Sequence, residues 1–189
     1  MSRPRRSLVL AALLTGLIAT AGCGAHSETS TQEAASSEGI YLHLGGLKYQ
    51  VQISRYLNPA DTEDSAYLKG LPSGVTLSPR DIWFGLFMRV ENDGGRSATA
   101  VSNYTITDTQ DNTFRPVPLD TRVNAFAYRP QPLAPGSILP SADSVAGQGV
   151  IQGSLILFKL TEDDLQNRPL TLHIAEGSQG PSTSVALDL

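Results

Sequence analysis

Ile82-Trp83-Phe84-Gly85-Leu86-Phe87-Met88-Arg89-Val90-Glu91 reads as a strand buried on two sides. Ile82, Phe84, Leu86, Met88 and Val90 occupy every second position, and side chains of an extended chain alternate between faces. These five therefore share one apolar face, while Trp83 and Phe87 fall on the other. Such a strand is expected at the centre of a sheet, covered on both sides near its start. Asn92-Asp93-Gly94-Gly95 follows directly and supplies turn chemistry, because Asn and Gly tolerate positive φ.

Weaker versions of the same pattern extend in both directions. Tyr49, Val51 and Ile53 alternate with Gln50, Gln52 and Ser54, which predicts a strand with one buried face. Residues 101–107 and 113–118 read as a hairpin turning at Asp111-Asn112. Residues 153–160 form a continuous apolar run, Leu170, Leu172 and Ile174 alternate, and 184–189 are expected to close the sheet. Pro116, Pro118, Pro130, Pro132, Pro135 and Pro140 crowd into 25 residues, and proline cannot donate to a central ladder. Residues 119–148 are thus read as a long ordered crossover holding one edge strand. Thr161-Glu162-Asp163-Asp164 sets a capping Thr before acids, which predicts one short helix near the C-terminus, stopped before Pro169. About eight strands at this spacing predict an all-β, immunoglobulin-like two-sheet sandwich over residues 39–189.

The N-terminus specifies a destination. Residues 1–22 carry Arg3, Arg5 and Arg6 and no acid, and an apolar run follows from Leu8 to Ala21. A basic start, a short apolar run and a small-residue exit make a secretory signal peptide. The run is shorter than the roughly 20 residues needed to span a bilayer. Ala19-Thr20-Ala21-Gly22-Cys23 resembles a lipobox, with Thr20 where Leu is usual. Cleavage before Cys23 and lipidation of its thiol is the favoured reading, because a lone cysteine in an exported chain needs a role. The alternative is an ordinary A-x-A site at Ala19-Thr20-Ala21, releasing a soluble protein. Pro4-Arg5-Arg6-Ser7-Leu8-Val9 also resembles a twin-arginine export signal, and the export route stays open.

Residues 23–38 are expected to be a lipidated flexible tether. The part from Ala25 to Glu38 is rich in Ser, Thr and Glu without a large apolar residue, too little to offset its ordering entropy. As a coil, these residues would reach about 20 Å. Without Arg3, Arg5 and Arg6 the mature chain has 11 Lys and Arg against 18 Asp and Glu, a net charge of −7 with His neutral. That balance disfavours nucleic acid as a partner, which needs basic groups against phosphate. It also makes lipid on Cys23 the expected membrane link, and the location extracytoplasmic.

Four segments resemble a telokin-like, immunoglobulin-like domain of bacterial lipoproteins. They are Gly46-Leu47-Lys48-Tyr49-Gln50-Val51 as an opening strand, Trp83 to Asn92 as a central strand and turn, Gly149 to Phe158 as a glycine-flanked late strand, and Pro169-Leu170-Thr171-Leu172-His173-Ile174 as the penultimate strand. The resemblance spans most of residues 39–189. It implies an extracytoplasmic β-sandwich and brings no catalytic residues, metal or cofactor with it.

Little in the chain suggests site chemistry. There is no G-x-S-x-G, and Gly147, Gly149 and Gly153 miss the dinucleotide spacing because Gln152 interrupts it. His43 and His173 fall at strand positions, His26 in the tether, and Met88 in the core. Asp108, Asp111 and Asn112 suit a hairpin turn better than a calcium loop. Asp61, Glu63 and Asp64 read as a solvated loop. Phe126, Tyr128 and Arg129 (with Gln131) lie in the stiff proline-rich crossover, and aromatics with arginine on a rigid loop are hot-spot materials. They are the candidate contact with an envelope protein partner, against the alternative that the two aromatics fold inward. The sequence therefore predicts a non-catalytic interaction module of the envelope. Its rival is a small-ligand carrier or enzyme whose site gathers Glu91, Asp93, Asp120 and His173 from afar.

Overall fold

The computed structural model of the chain describes residues 33–188. In chain order these form β1 (Glu33–Ala35), β2 (Leu42–Leu44), β3 (Leu47–Leu57), α1 (Thr62–Tyr67), β4 (Asp81–Glu91), β5 (Ala98–Thr99), β6 (Asn103–Thr107), β7 (Thr113–Phe114), β8 (Pro132–Leu133), β9 (Ile138–Leu139), α2 (Val145–Gln148), β10 (Ser154–Thr161), a 3₁₀ turn (Asp164–Gln166), β11 (Thr171–Ala175) and β12 (Ser182–Ala186). One sheet has the order β1-β12-β11-β6-β7; the other has the order β10-β4-β3-β2, with β9 pairing the end of β4 beyond β10. A small ribbon of β5 and β8 pairs with neither sheet but packs Leu133 into the core between them.

β4 is central and doubly covered, as its pattern predicts. Phe84, Leu86, Met88 and Val90 face the other sheet and join Tyr104, Ile106, Leu172, Ile174 and Val185 in one core. Trp83 and Phe87 face outward into a second core with Leu57, Tyr67, Leu155 and Leu157. α1 and the crossover lie over that outer face, so the molecule has three layers where β4 begins. Each large apolar side chain buried this way contributes about 1.5–3 kcal/mol.

β3 departs from simple alternation. A bulge between Val51 and Ile53 inserts an extra residue against β4 and reverses the facing of everything after it. Ile53, expected inside, is turned out, and Ser54, expected outside, is buried. Glu38 satisfies that buried serine, accepting from both the Ser54 backbone N–H and its hydroxyl.

Four further expectations need correction. The crossover holds two strands of two residues and a four-residue helix, because its prolines confine pairing to short edges. The C-terminal helix is a 3₁₀ turn of three residues. Thr161 and Asp164 cap each other as expected, but Pro169 follows too closely for a longer helix. β12 does not close its sheet, since β1 pairs beyond it in parallel. The tether over 23–38 is shortened from its C-terminal end: Thr183 Oγ1 donates to the Glu33 carbonyl at 2.7 Å, and Glu33 accepts from the His43 backbone N–H at 2.7 Å. A segment without large side chains is held here by backbone pairing and carboxylates rather than by burial.

Candidate functional site

Asn124 fixes the proline-rich crossover. Its side chain is buried, and its amide donates to the Tyr67 carbonyl (2.8 Å) and the Lys69 carbonyl (2.9 Å). Its Oδ1 accepts from the backbone N–H groups of Phe126 (2.9 Å) and Ala127 (3.1 Å). One side chain thus ties the crossover to the end of α1. Gly70 allows the approach: its φ is +76°, and a Cβ there would stand 3.0 Å from the Asp120 carbonyl oxygen.

This anchoring turns the expected hot-spot aromatics inward. Phe126 packs edge-on against Tyr67, with ring centroids 4.7 Å apart, and Tyr67 in turn meets Phe87 at 5.0 Å. Tyr128 packs edge-on against Tyr104 at 5.2 Å and donates its hydroxyl to the Val101 carbonyl at 2.8 Å. Arg129 remains exposed. The three residues therefore do not form one outward surface; the two aromatics hold the loop and only the arginine faces solvent.

Tyr128 instead belongs to a site that the sequence did not suggest. The sheets end together along β10 and the first half of β6, which has no strand partner beyond it among the described residues because β7 pairs only Ile106 and Thr107. The chain crosses this opening twice, bridging from Val117 to Leu157 and from Ala127 to Leu155. Between the crossings lies a half-open slot of about 430 Å³, walled by Tyr104, Val117, Tyr128 and Leu157, with Arg115 in its lining. Val101 gives both of its backbone groups to tyrosines, its N–H donating to Tyr49 Oη at 3.0 Å. Burial drives the Tyr49 hydroxyl up to about 12, and raises Tyr128 and Tyr104 well above the ordinary phenol value, so all three stay neutral. Tyr104 Oη lies close to the Tyr128 hydroxyl without a well-directed hydrogen bond, the one buried side-chain polar atom so left among the described residues.

The acids offered by the sequence are engaged elsewhere. Asp61 caps α1 by accepting from the Glu63 and Asp64 backbone N–H groups. Asp64, expected in a solvated loop, is buried and pairs with Arg55, while also accepting from the Asn58 N–H at 2.7 Å. Burial alone would raise its pKa, but the Arg55 and Asn58 hydrogen bonds outweigh it and hold the carboxyl low. Asp108 closes the β6–β7 turn, accepting from Gln110 and Asn112, as its turn reading anticipates. Asn92, buried, closes its own turn through Gly94 and reaches across to the Leu133 carbonyl at 2.7 Å. Gly94 and Gly95 need no positive φ there.

Glu91, Asp93, Asp120 and His173 do not meet. Glu91 is bound by Arg89, Asp93 pairs with Lys48, and Asp120 pairs with Arg122. His173 projects from the outer side of the other sheet, where its Nε2 lies 2.8 Å from Thr107 Oγ1 and partial burial lowers its pKa. No group of three or more His, Cys, Asp or Glu positioned for a metal occurs among the described residues. Cys23 lies outside those residues.

No family model matches the chain, and no curated protein is similar to it by sequence. Among solved structures it is similar to the yjhA protein of Bacillus subtilis, at 12% identity, over 81% of this chain and 99% of that one, with a TM-score of 0.48. It is likewise similar to an uncharacterised β-sandwich protein of Clostridium difficile 630, at 7% identity, over 83% and 97%, with a TM-score of 0.45. Likenesses this loose carry no weight for function, and the architecture of this chain rests on its own strand pairing.

Proposed function

We propose that the chain is an exported lipoprotein whose immunoglobulin-like sandwich works by contact with another component of the cell envelope, held at the membrane through lipid on Cys23. Two sheets packed face to face over one core support the immunoglobulin-like reading. The observation that carries the contact reading is a surface on the outer face of the second sheet. Val150 is 93% exposed and shares a recess with Ile53, Gln52 and Gln152. Gln152 also lines the neighbouring recess beside Arg89 and Gln148. Apolar side chains held out among amides and a guanidinium match the composition of protein contact surfaces. The acids and the histidine already described are occupied in holding the fold, which favours a binding role over catalysis.

Cross-linking in intact cells, followed by mass spectrometry of captured proteins, tests this reading. A reproducible envelope partner is expected, lost on Val150→Asp and retained in Arg129→Ala. Loss in Arg129→Ala alone would move the contact to the crossover. Capture of nothing by either protein would count against a contact role. For the anchor, Cys23→Ala is expected to leave the membrane fraction and to lose labelling by a palmitate analogue; a variant that stays membrane-bound would refute the lipid link.

A further inference from the structure

The slot between the sheet ends has the attributes of a small-molecule site. Its volume of about 430 Å³ falls among ligand pockets, which run from roughly 300 to 1,000 Å³. Three prolines, Pro116, Pro118 and Pro130, form part of its lining. Proline has no backbone N–H, so these positions present rings and offer no donor to water. Val117, Leu155 and Leu157 continue the apolar wall.

Two polar features stand out against that wall. Arg115 lines the slot, is exposed, and makes no ion pair or hydrogen bond with any described residue. Arg55, Arg80, Arg89 and Arg122 each hold a carboxylate, whereas Arg115, like Arg96 and Arg129, does not among the described residues, and of these three only Arg115 lines the slot. A guanidinium beside an apolar slot can pair with an anion seated there, and its planar fork matches a carboxylate. Tyr104 supplies the second feature. Its ring stands in the wall, and its buried hydroxyl lies close to that of Tyr128 without a well-directed hydrogen bond.

We propose that this slot binds a small apolar carboxylic acid, its ring or short chain lying against Val117, Leu157 and Tyr128 and its carboxylate pairing with Arg115. The bound acid would close the opening between the two sheets and cover Tyr104. This site is separate from the Val150 surface and does not depend on it or on the anchor.

The test uses the full chain in lipid nanodiscs, labelled with 3-fluorotyrosine, so that each of the six tyrosines gives a fluorine signal. The probe is 2-naphthoate, with 2-naphthol as the uncharged control for bilayer partitioning. Saturable shifts of the Tyr104 and Tyr128 signals are expected with 2-naphthoate, while Tyr41 on the far edge of the second sheet stays put. Arg115→Gln, an exposed substitution that leaves the fold intact, is expected to weaken 2-naphthoate at least tenfold and leave any 2-naphthol binding unchanged. Ala127→Leu, which fills the slot, is expected to abolish both. Shifts that never saturate, equal binding of naphthol and naphthoate, or indifference to Arg115→Gln would each overturn the proposal.

Discussion

Asp64 and Glu38 are carboxylates with opposite consequences for stability. Asp64 carries the Arg55 guanidinium and the Asn58 N–H in a buried position. Removing it strands both, and Asp64→Ala is expected to cost about 2–3 kcal/mol in chemical denaturation. Its pKa is lowered, so its contribution is present above the ordinary value of 3.8 and disappears as the pH falls through the folded value. Glu38 goes the other way. Burial raises its pKa against the hydrogen bonds from Ser54 and Asp188, and the nearby Asp188 carboxylate adds to the rise. Protonated Glu38 is therefore favoured by the folded state. Relative to Glu38→Gln, the native chain should gain stability as the pH falls through the folded pKa, with the gain complete below the ordinary 4.5. Thermal melts of both proteins across that range measure it, and parallel curves would mean that Glu38 is not desolvated.

Among the elements, Asn124 is the hinge pin of the crossover. Asn124→Ala orphans two carbonyls and two N–H groups, so a loss of about 2–3 kcal/mol is expected in urea unfolding. Gly70→Ala should cost about 1–2 kcal/mol for its positive φ alone, with the Asp120 carbonyl adding to it. What could be read in advance follows a clear physical line. β4, β10 and β11 were readable because burial writes an apolar pattern into consecutive residues. The bulge in β3 was not, since one inserted residue leaves the local pattern intact while reversing its direction after Val51. α1 carries the cap signature Asp61-Thr62-Glu63-Asp64, but six residues are too few for a helical period to show. The slot was invisible for a different reason. Tyr104, Arg115, Tyr128 and Leu157 come from separate strands and loops, and only the way both sheets stop at one side brings them together.

For the whole molecule, charge and attachment make one further expectation. With the proposed cleavage before Cys23, the net charge of −7 offers no electrostatic hold on anionic lipid. Membrane fractions washed in high salt should keep all of the native protein, and its release by salt would point to an ionic peripheral attachment instead. The three-layered arrangement at the start of β4 was anticipated from Trp83 and Phe87, although the identity of the covering segments was not.

The parallel pairing of β1 with β12 also has a mechanical side. Glu33 follows Cys23 by only ten residues, so tension applied at the N-terminus would enter the sandwich through the pairs Glu33 with Thr183, Ala34 with Ser184 and Ala35 with Val185, together with the Glu33 contact to His43. These form a short latch at a sheet edge, backed by the Glu38 contacts to Ser54 and Asp188. Were the latch to slip, residues 33–38 would add at most about 20 Å of extended chain at roughly 3.4 Å per residue. With the proposed anchor on Cys23, a strand of three residues would thereby set how far the domain can stand from the membrane.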